Sequence, residues 1–277
     1  MAKGIGLIGN FKGKVGNMVG YKLTASNSGN TQGVRVYQPN VKNPKTAAQA
    51  EQRAKLAPIN ATYRALKMII DRGNEGLPYG NKSRLAWLKQ AFKAEHMPWF
   101  EKGKSISMPV VCQLTKGSIS PLSYKVETGN LMIGCGGMTT ETDIATVGKL
   151  STVLLNANHA LKAGDQITIV GVTTIEGSLF TYIKSFILDP TSVEDQSEFT
   201  AGTNFLVDEF EDNTLVAAVI VSREGDAGEH LRSTSILVTE ASVLAAAPYD
   251  ATSKTAAIES YMSSAAVNAD WAEESIQ

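Results

Sequence analysis

The sequence predicts an α+β protein: a glycine-rich N-terminal arm and a helical pair, followed by a mainly antiparallel β domain, a sandwich or a barrel. Three observations predict it. Eight glycines interrupt short apolar pieces in the first 40 residues. Two stretches between residues 46 and 95 carry apolar side chains at helical spacing. From residue 106 onward, short strand-like pieces alternate with turn signals.

The arm spans residues 1–42. Gly4, Gly6, Gly9, Gly13, Gly16, Gly20, Gly29 and Gly33 separate Ile5, Leu7–Ile8, Phe11, Val15, Met18–Val19 and Tyr21. Glycine at this density weakens regular helix and permits tight bends. The segment reads as extended chain with short irregular strands, more stable when laid against another domain or subunit.

Residues 43–104 read as a basic helical hairpin. Thr46 with Gln49 three residues later is a capping-box pattern, so a helix is expected to start near residue 46. Leu56, Ile59, Tyr63, Leu66 and Ile70 form its apolar stripe. Pro58 lies inside the pattern and is expected to kink or divide the helix. Gly73 to Gly80 is a loop. A second helix is expected over about 82–95, with Leu85, Leu88 and Phe92 on one face, Trp87 and Ala91 beside it, and Pro98 as its stop.

Residues 105–240 read as an acidic β domain. Strands are expected at 106–114, 119–126, 131–135, 152–156, 166–172, 178–187, 203–208, 215–221 and 235–239. Lys116-Gly117, Thr128-Gly129-Asn130, Gly136-Gly137, Ala163-Gly164-Asp165 and Glu176-Gly177 punctuate them. Residues 241–277 form an Ala- and Ser-rich tail, with a short helix expected around 256–262.

At 277 residues with 43% apolar and 19% charged side chains, the chain has ample material for a core. The net charge of −1 hides an asymmetry. Residues 1–127 hold 20 Lys and Arg against 6 Asp and Glu, a net +14; residues 128–277 hold 6 against 21, a net −15. Such a split suggests a polyanion partner, or oppositely charged surfaces that meet within one chain or between copies. Cys112 and Cys135 read as buried free thiols, with a single bridge as the alternative. No secretory leader and no apolar run of membrane-spanning length is read, so the expected location is a virion or the host cytoplasm.

The first 125 residues also carry a block pattern. Asn10-Phe11-Lys12-Gly13-Lys14-Val15-Gly16 is followed by Val19-Gly20. Asn43-Pro44-Lys45-Thr46-Ala47-Ala48-Gln49 is followed by Gln52-Arg53-Ala54-Lys55. Thr115-Lys116-Gly117-Ser118-Ile119 follows the helices. In these blocks and their order the chain resembles an uncharacterised protein family from Bacteroidota and their phages. The resemblance implies no activity. It implies a phage or mobile-element setting, hence a virion or assembly role.

Chemical motifs are weak. Gly4-Ile5-Gly6-Leu7-Ile8-Gly9 fits G-x-G-x-x-G but lacks the preceding strand and following helix of a dinucleotide site. Gly9-Asn10-Phe11-Lys12-Gly13-Lys14 is one residue short of a P-loop, with Val15 where Ser or Thr is needed. His96, His159 and His230 have no metal-site spacing. No Gly-x-Ser-x-Gly marks a nucleophile. The acidic clusters Glu194–Asp195, Glu209, Glu211–Asp212 and Glu224–Asp226 read as solvated edges. No enzyme, cofactor or metal is expected.

The basic set is the one constellation that suggests a site. Lys12, Lys14, Lys22, Arg35, Lys42, Lys45, Arg53, Lys55, Arg64, Lys67 and Arg72 are its candidate members for assembly or polyanion binding. The reading that accounts for both halves is a non-enzymatic structural protein. It would be a phage virion component that assembles through its arm and complementary charges, with other copies and other particle proteins as partners. The alternative is a nucleic-acid-binding protein using the basic half.

Overall fold

The structure, a computed structural model, describes residues 13–22, 32–37, 46–127, 130–195, 199–200, 204–207, 216–226 and 228–263. Contacts divide the chain into two units, residues 1–45 and 46–277.

In the first unit the glycine-rich chain forms a regular antiparallel meander. Strands β1 (Gly13–Val15), β2 (Met18–Lys22) and β3 (Gln32–Val36) lie in that order. Gly16, at φ 56°, makes the two-residue connection between β1 and β2. The register sets Lys14 opposite Val19 and Val19 opposite Arg35.

The second unit opens with α1 (Ala47–Ala65), and the expected cap is present: Gln49 N–H donates to Thr46 Oγ1 at 3.4 Å. Pro58 does not divide this helix. It is buried, and its carbonyl accepts the Thr62 hydroxyl at 2.9 Å, while Thr62 Oγ1 accepts the Val110 N–H at 2.9 Å. The proline turn is thereby tied to the chain that crosses it. The buried line of α1 also differs from the apolar stripe. Ala50, Ala54, Pro58, Ile59 and Thr62 are buried, whereas Leu56 is 42% exposed. Small side chains let a second helix come close, so they occupy the core line where Leu56 would not fit.

Helix α2 (Lys67–Ile70) and helix α3 (Asn81–Ala91) follow, α3 ending four residues before the expected Glu95. Ser83, Trp87 and Ala91, four apart, face the interior, and Leu85 lies half exposed. The Ser83 hydroxyl donates to the Ile70 carbonyl at 2.8 Å and locks α3 to the end of α2.

Strand β4 (Gln113–Thr115) is shorter than expected, as are β5 (Tyr124–Glu127) and β13 (Ser235–Ile236). Strand β6 (Asn130–Gly134) pairs with β5. After α4 (Glu141–Ile144) comes a correction: residues 152–156, expected as a strand, lie in helix α5 (Val147–Ala157). Thr146 caps it, accepting the Lys149 N–H at 3.3 Å, and Leu150 and Leu154 are buried four residues apart. The run Ser151-Thr152-Val153-Leu154-Leu155 is β-prone in isolation, but the cap and the 150/154 spacing decide for helix. A side chain at Gly148 would lie 2.4 Å from the Ser192 carbonyl, so the helix meets the 190–192 segment at backbone distance.

Strands β7 (Gln166–Ile175) and β8 (Ser178–Ile187) pair along all ten residues through the expected Glu176-Gly177 turn, with φ 51° and 75°. Strands β9 (Phe199–Thr200), β10 (Asn204–Val207), β11 (Val216–Glu224) and β12 (His230–Arg232) follow. Helices α6 (Ala241–Ala245) and α7 (Ala251–Ser263) close the described chain, α7 containing the expected 256–262 helix.

Among the described residues every paired strand is antiparallel. One four-stranded sheet runs β12-β11-β7-β8 and another β5-β6-β10-β9, with β13-β4 as a two-stranded piece; none closes into a barrel. The central pair β7 and β11 is buried on both faces. Ile167, Ile169, Ala217, Val219 and Val221 meet Val126, Leu131, Ile133, Leu150 and Leu154 on one side. Val170, Val172, Val216, Ala218 and Ile220 meet Ile59, Leu66, Trp87, Val110, Leu114 and Ala257 on the other. A helical layer therefore covers one face, and β5, β6 and α5 cover the other. The second core draws on residues from both sides of position 104 and from α7, so the change of texture there is not a gap between cores. Both cysteines are buried and neither forms a disulfide, and burial pushes the Cys112 thiol up to about 12.

The buried Thr62 hydroxyl serves a backbone donor that has no solvent access. Thr62→Val keeps the volume and orphans the Val110 N–H, so it is expected to destabilise by about 1–3 kcal/mol in urea unfolding, while Thr62→Ser stays near wild type. Equal stability of the Val and Thr forms would contradict this.

Candidate interaction surfaces

The basic residues expected to form one site fall into separate settings. Lys12, Lys42 and Lys45 lie outside the described residues. On the first unit, Lys14 and Arg35 share one row of the meander, flanking Val19, and both are exposed. Lys14 Nζ lies 3.6 Å from the centre of the Tyr37 ring. Two cations and an aromatic ring thus share one region of a sheet whose chain, residues 1–45, contains no Asp or Glu. Lys22, at the end of β2, is opposite Gln32.

On the second unit the helical cations divide further. Lys55 is engaged: its ammonium lies 2.9 Å from Glu51 and 5.8 Å from the Trp99 ring, and Lys254 from α7 approaches the same carboxylate and ring at 3.5 and 5.2 Å. The Lys55 ammonium holds the Glu51 carboxyl below its usual range. Lys55 thus helps join α1, α7 and the 99 segment. Arg53 is half-buried on α1, whereas Arg64, Lys67 and Arg72 are exposed. The guanidinium of Arg72 lies over Tyr79 at 5.1 Å, and that of Arg84 over Tyr63 at 4.5 Å.

Arg72 also lines a cleft of about 940 Å³ between the 72–79 loop and one end of the central sheet. Glu75 organises that loop. Its carboxylate accepts the Ser118 N–H at 2.9 Å, the Ser118 hydroxyl at 2.9 Å and the Arg232 N–H at 3.0 Å. Burial raises its pKa, but these donors outweigh it and leave the carboxyl below its usual value. On the opposite face of β11, Arg223 grips Asp165 through two bonds of 2.6 Å and the Ala160 carbonyl at 2.9 Å. Asp165 is 1% exposed, and the fork raises the Arg223 pKa.

Sequence reasoning passed over Arg232, Arg223 and Asp165. The two arginines lie in the acidic half, and their partners are 157 and 58 residues away, so no local spacing marks them. Among the described residues no cluster of His, Cys, Asp or Glu has a metal-holding arrangement, and no helix is long and apolar enough to cross a membrane. Comparison with family models, with curated proteins and with solved structures finds no match.

Because the folded pKa of Glu75 is lowered, its contribution is present above the unfolded carboxylate value, near 4.3, and is lost as pH falls through the folded value. The stability difference between wild type and Glu75→Gln in urea is therefore expected to shrink between about pH 6 and about pH 3. A difference that stays constant across that interval would refute the assignment.

Proposed function

We propose that this chain is a non-enzymatic assembly protein in which the basic N-terminal unit of one copy engages the acidic unit of another. The observation that carries the reading is where the contact division falls. Residues 1–45 hold seven Lys and Arg and no carboxylate side chain; residues 46–277 hold 19 against 27, a net −8. Opposite charge on the two units gives long-range attraction and orientation between copies. A contact between unlike surfaces is head-to-tail, and it yields rings or filaments.

The central sheet supports a protein-contact role. Strand β8 is its edge, and Phe180, Ile183 and Ile187 along it are 48, 41 and 58% exposed. A ten-residue edge with apolar side chains is a surface that another copy can cover. The resemblance of the first 125 residues supplies the setting, a phage particle. A second reading, nucleic-acid binding, is favoured by Lys14, Arg35 and Tyr37 coming together, since two cations beside a ring suit a phosphate backbone with a stacked base.

Light scattering coupled to size exclusion separates the two. The assembly reading predicts multimers at about 50 mM salt that fall toward monomer at about 500 mM, and a lower multimer fraction for the Lys14→Glu, Arg35→Glu double variant. A monomer at both salt concentrations defeats it. Salt-sensitive retention of single-stranded DNA by that monomer would favour the second reading.

A further inference from the structure

We propose that the cleft beside β12 is a binding site for a phosphate group, held between Arg232 and Arg72. The floor of the cleft is set by strand register. Arg232 pairs with Ser222, Ser222 with Gln166, and Gln166 with Ile187, a row across all four strands of the central sheet. All four residues line the cleft, and Arg72 lines it from the loop above.

Arg232 is the unexplained group. The residue is partly buried, yet among the described residues its guanidinium makes no hydrogen bond and no ion pair; its contact with Glu75 is through the backbone N–H. A guanidinium that has given up part of its hydration gains from an acceptor. The other cations near the core are supplied: Arg223 by Asp165, and Lys55 by Glu51. Here the neighbour is instead a like charge. Burial, and then Arg72, both act to lower the Arg232 pKa. Two arginines 160 residues apart thus line one cleft, where an anion would relieve both burial and repulsion.

The chemistry favours phosphate. Two guanidinium forks offer more N–H donors than one carboxylate can accept, and a tetrahedral dianion presents oxygens to both. The Ser222 hydroxyl, which donates to the Gln166 carbonyl at 3.5 Å, lies on the same floor. Glu75, Glu224 and Glu229 also line the cleft. Glu75 is saturated by Ser118 and by the Arg232 N–H. Glu224 stands opposite His230, two rows further out. These acids would repel a large polyanion, so the fit is to a single phosphate, free or carried as a monoester.

Calorimetric titration of the full chain with inorganic phosphate tests this, at constant ionic strength held with chloride and with acetate as the carboxylate control. Saturable binding is expected, weakened about tenfold or more by Arg232→Gln and by Arg72→Gln, and unchanged by Arg64→Gln on the exposed side of α1. Arg72 is exposed, so its variant reports on the site even if the Arg232 variant folds poorly. No saturable phosphate binding at about 20 mM, well above the millimolar affinity expected of such a pair, overturns the proposal. So does acetate binding as tightly as phosphate, or an Arg72→Gln variant that binds like wild type.

Discussion

The structure depends on one constraint: the central strands β7 and β11 must be covered on both faces. An antiparallel sheet commonly leaves one face to water and alternates polar with apolar side chains. Val216 to Val221 does not alternate; all six residues are 3% exposed or less. Such a run is stable only when two separate layers are brought to it. Helices α1 to α3, the β5–β6 hairpin and α5 all come from before the sheet in sequence, and α7 from after it. The hydroxyls of Thr115, Ser233 and Ser235 complete the backbone where β12 and β13 are too short to do so. Ser233 Oγ accepts the Val221 N–H and the Ser235 hydroxyl donates to the Val219 carbonyl, both at 2.8 Å.

That constraint also explains what remains outside. With β7 and β11 central, β8 and β12 are edges. The β8 edge keeps half-exposed Phe180 and Ile187. The β12 end carries Arg232 into a cleft, held by the Glu75 carboxylate through its backbone and not through its charge. The two surfaces proposed to bind partners thus lie at the margins of the same sheet, where the demand for burial stops.

Legibility in the sequence followed the range of the interaction that decides each element. The Thr46 cap, the Glu176-Gly177 hairpin and the two buried thiols were readable, because each is set by neighbours a few residues away. Helix α5 was not, because its apolar spacing competes with a β-prone run and Thr146 settles the matter. Leu56 and Leu85 looked like core and are half exposed, because α1 and α3 bury smaller or more distant faces, the Ala50–Ala54 line and Trp87. Pro58 looked like a breaker, but Thr62 and Val110 hold the turn around it. For the candidate surfaces, the basic composition was legible and its subdivision was not. Lys55 is tied to Glu51 and Trp99, while Arg232, lying in the acidic half, gave no local sign.

The charge asymmetry changes meaning in three dimensions. Cut at residue 127, it falls inside the β5–β6 hairpin and so separates nothing physical. Cut at residue 45, it separates a unit without carboxylate side chains from one with a net −8. The central claim is that these two charges meet between copies. A mixture of isotope-labelled and unlabelled chain, treated with a carbodiimide that joins Lys to Asp or Glu without a spacer, tests it most directly by mass spectrometry. The account predicts mixed-isotope links from Lys12, Lys14, Lys22, Lys42 or Lys45 to carboxylates of residues 46–277. Links from those lysines found solely within single-isotope chains would contradict it.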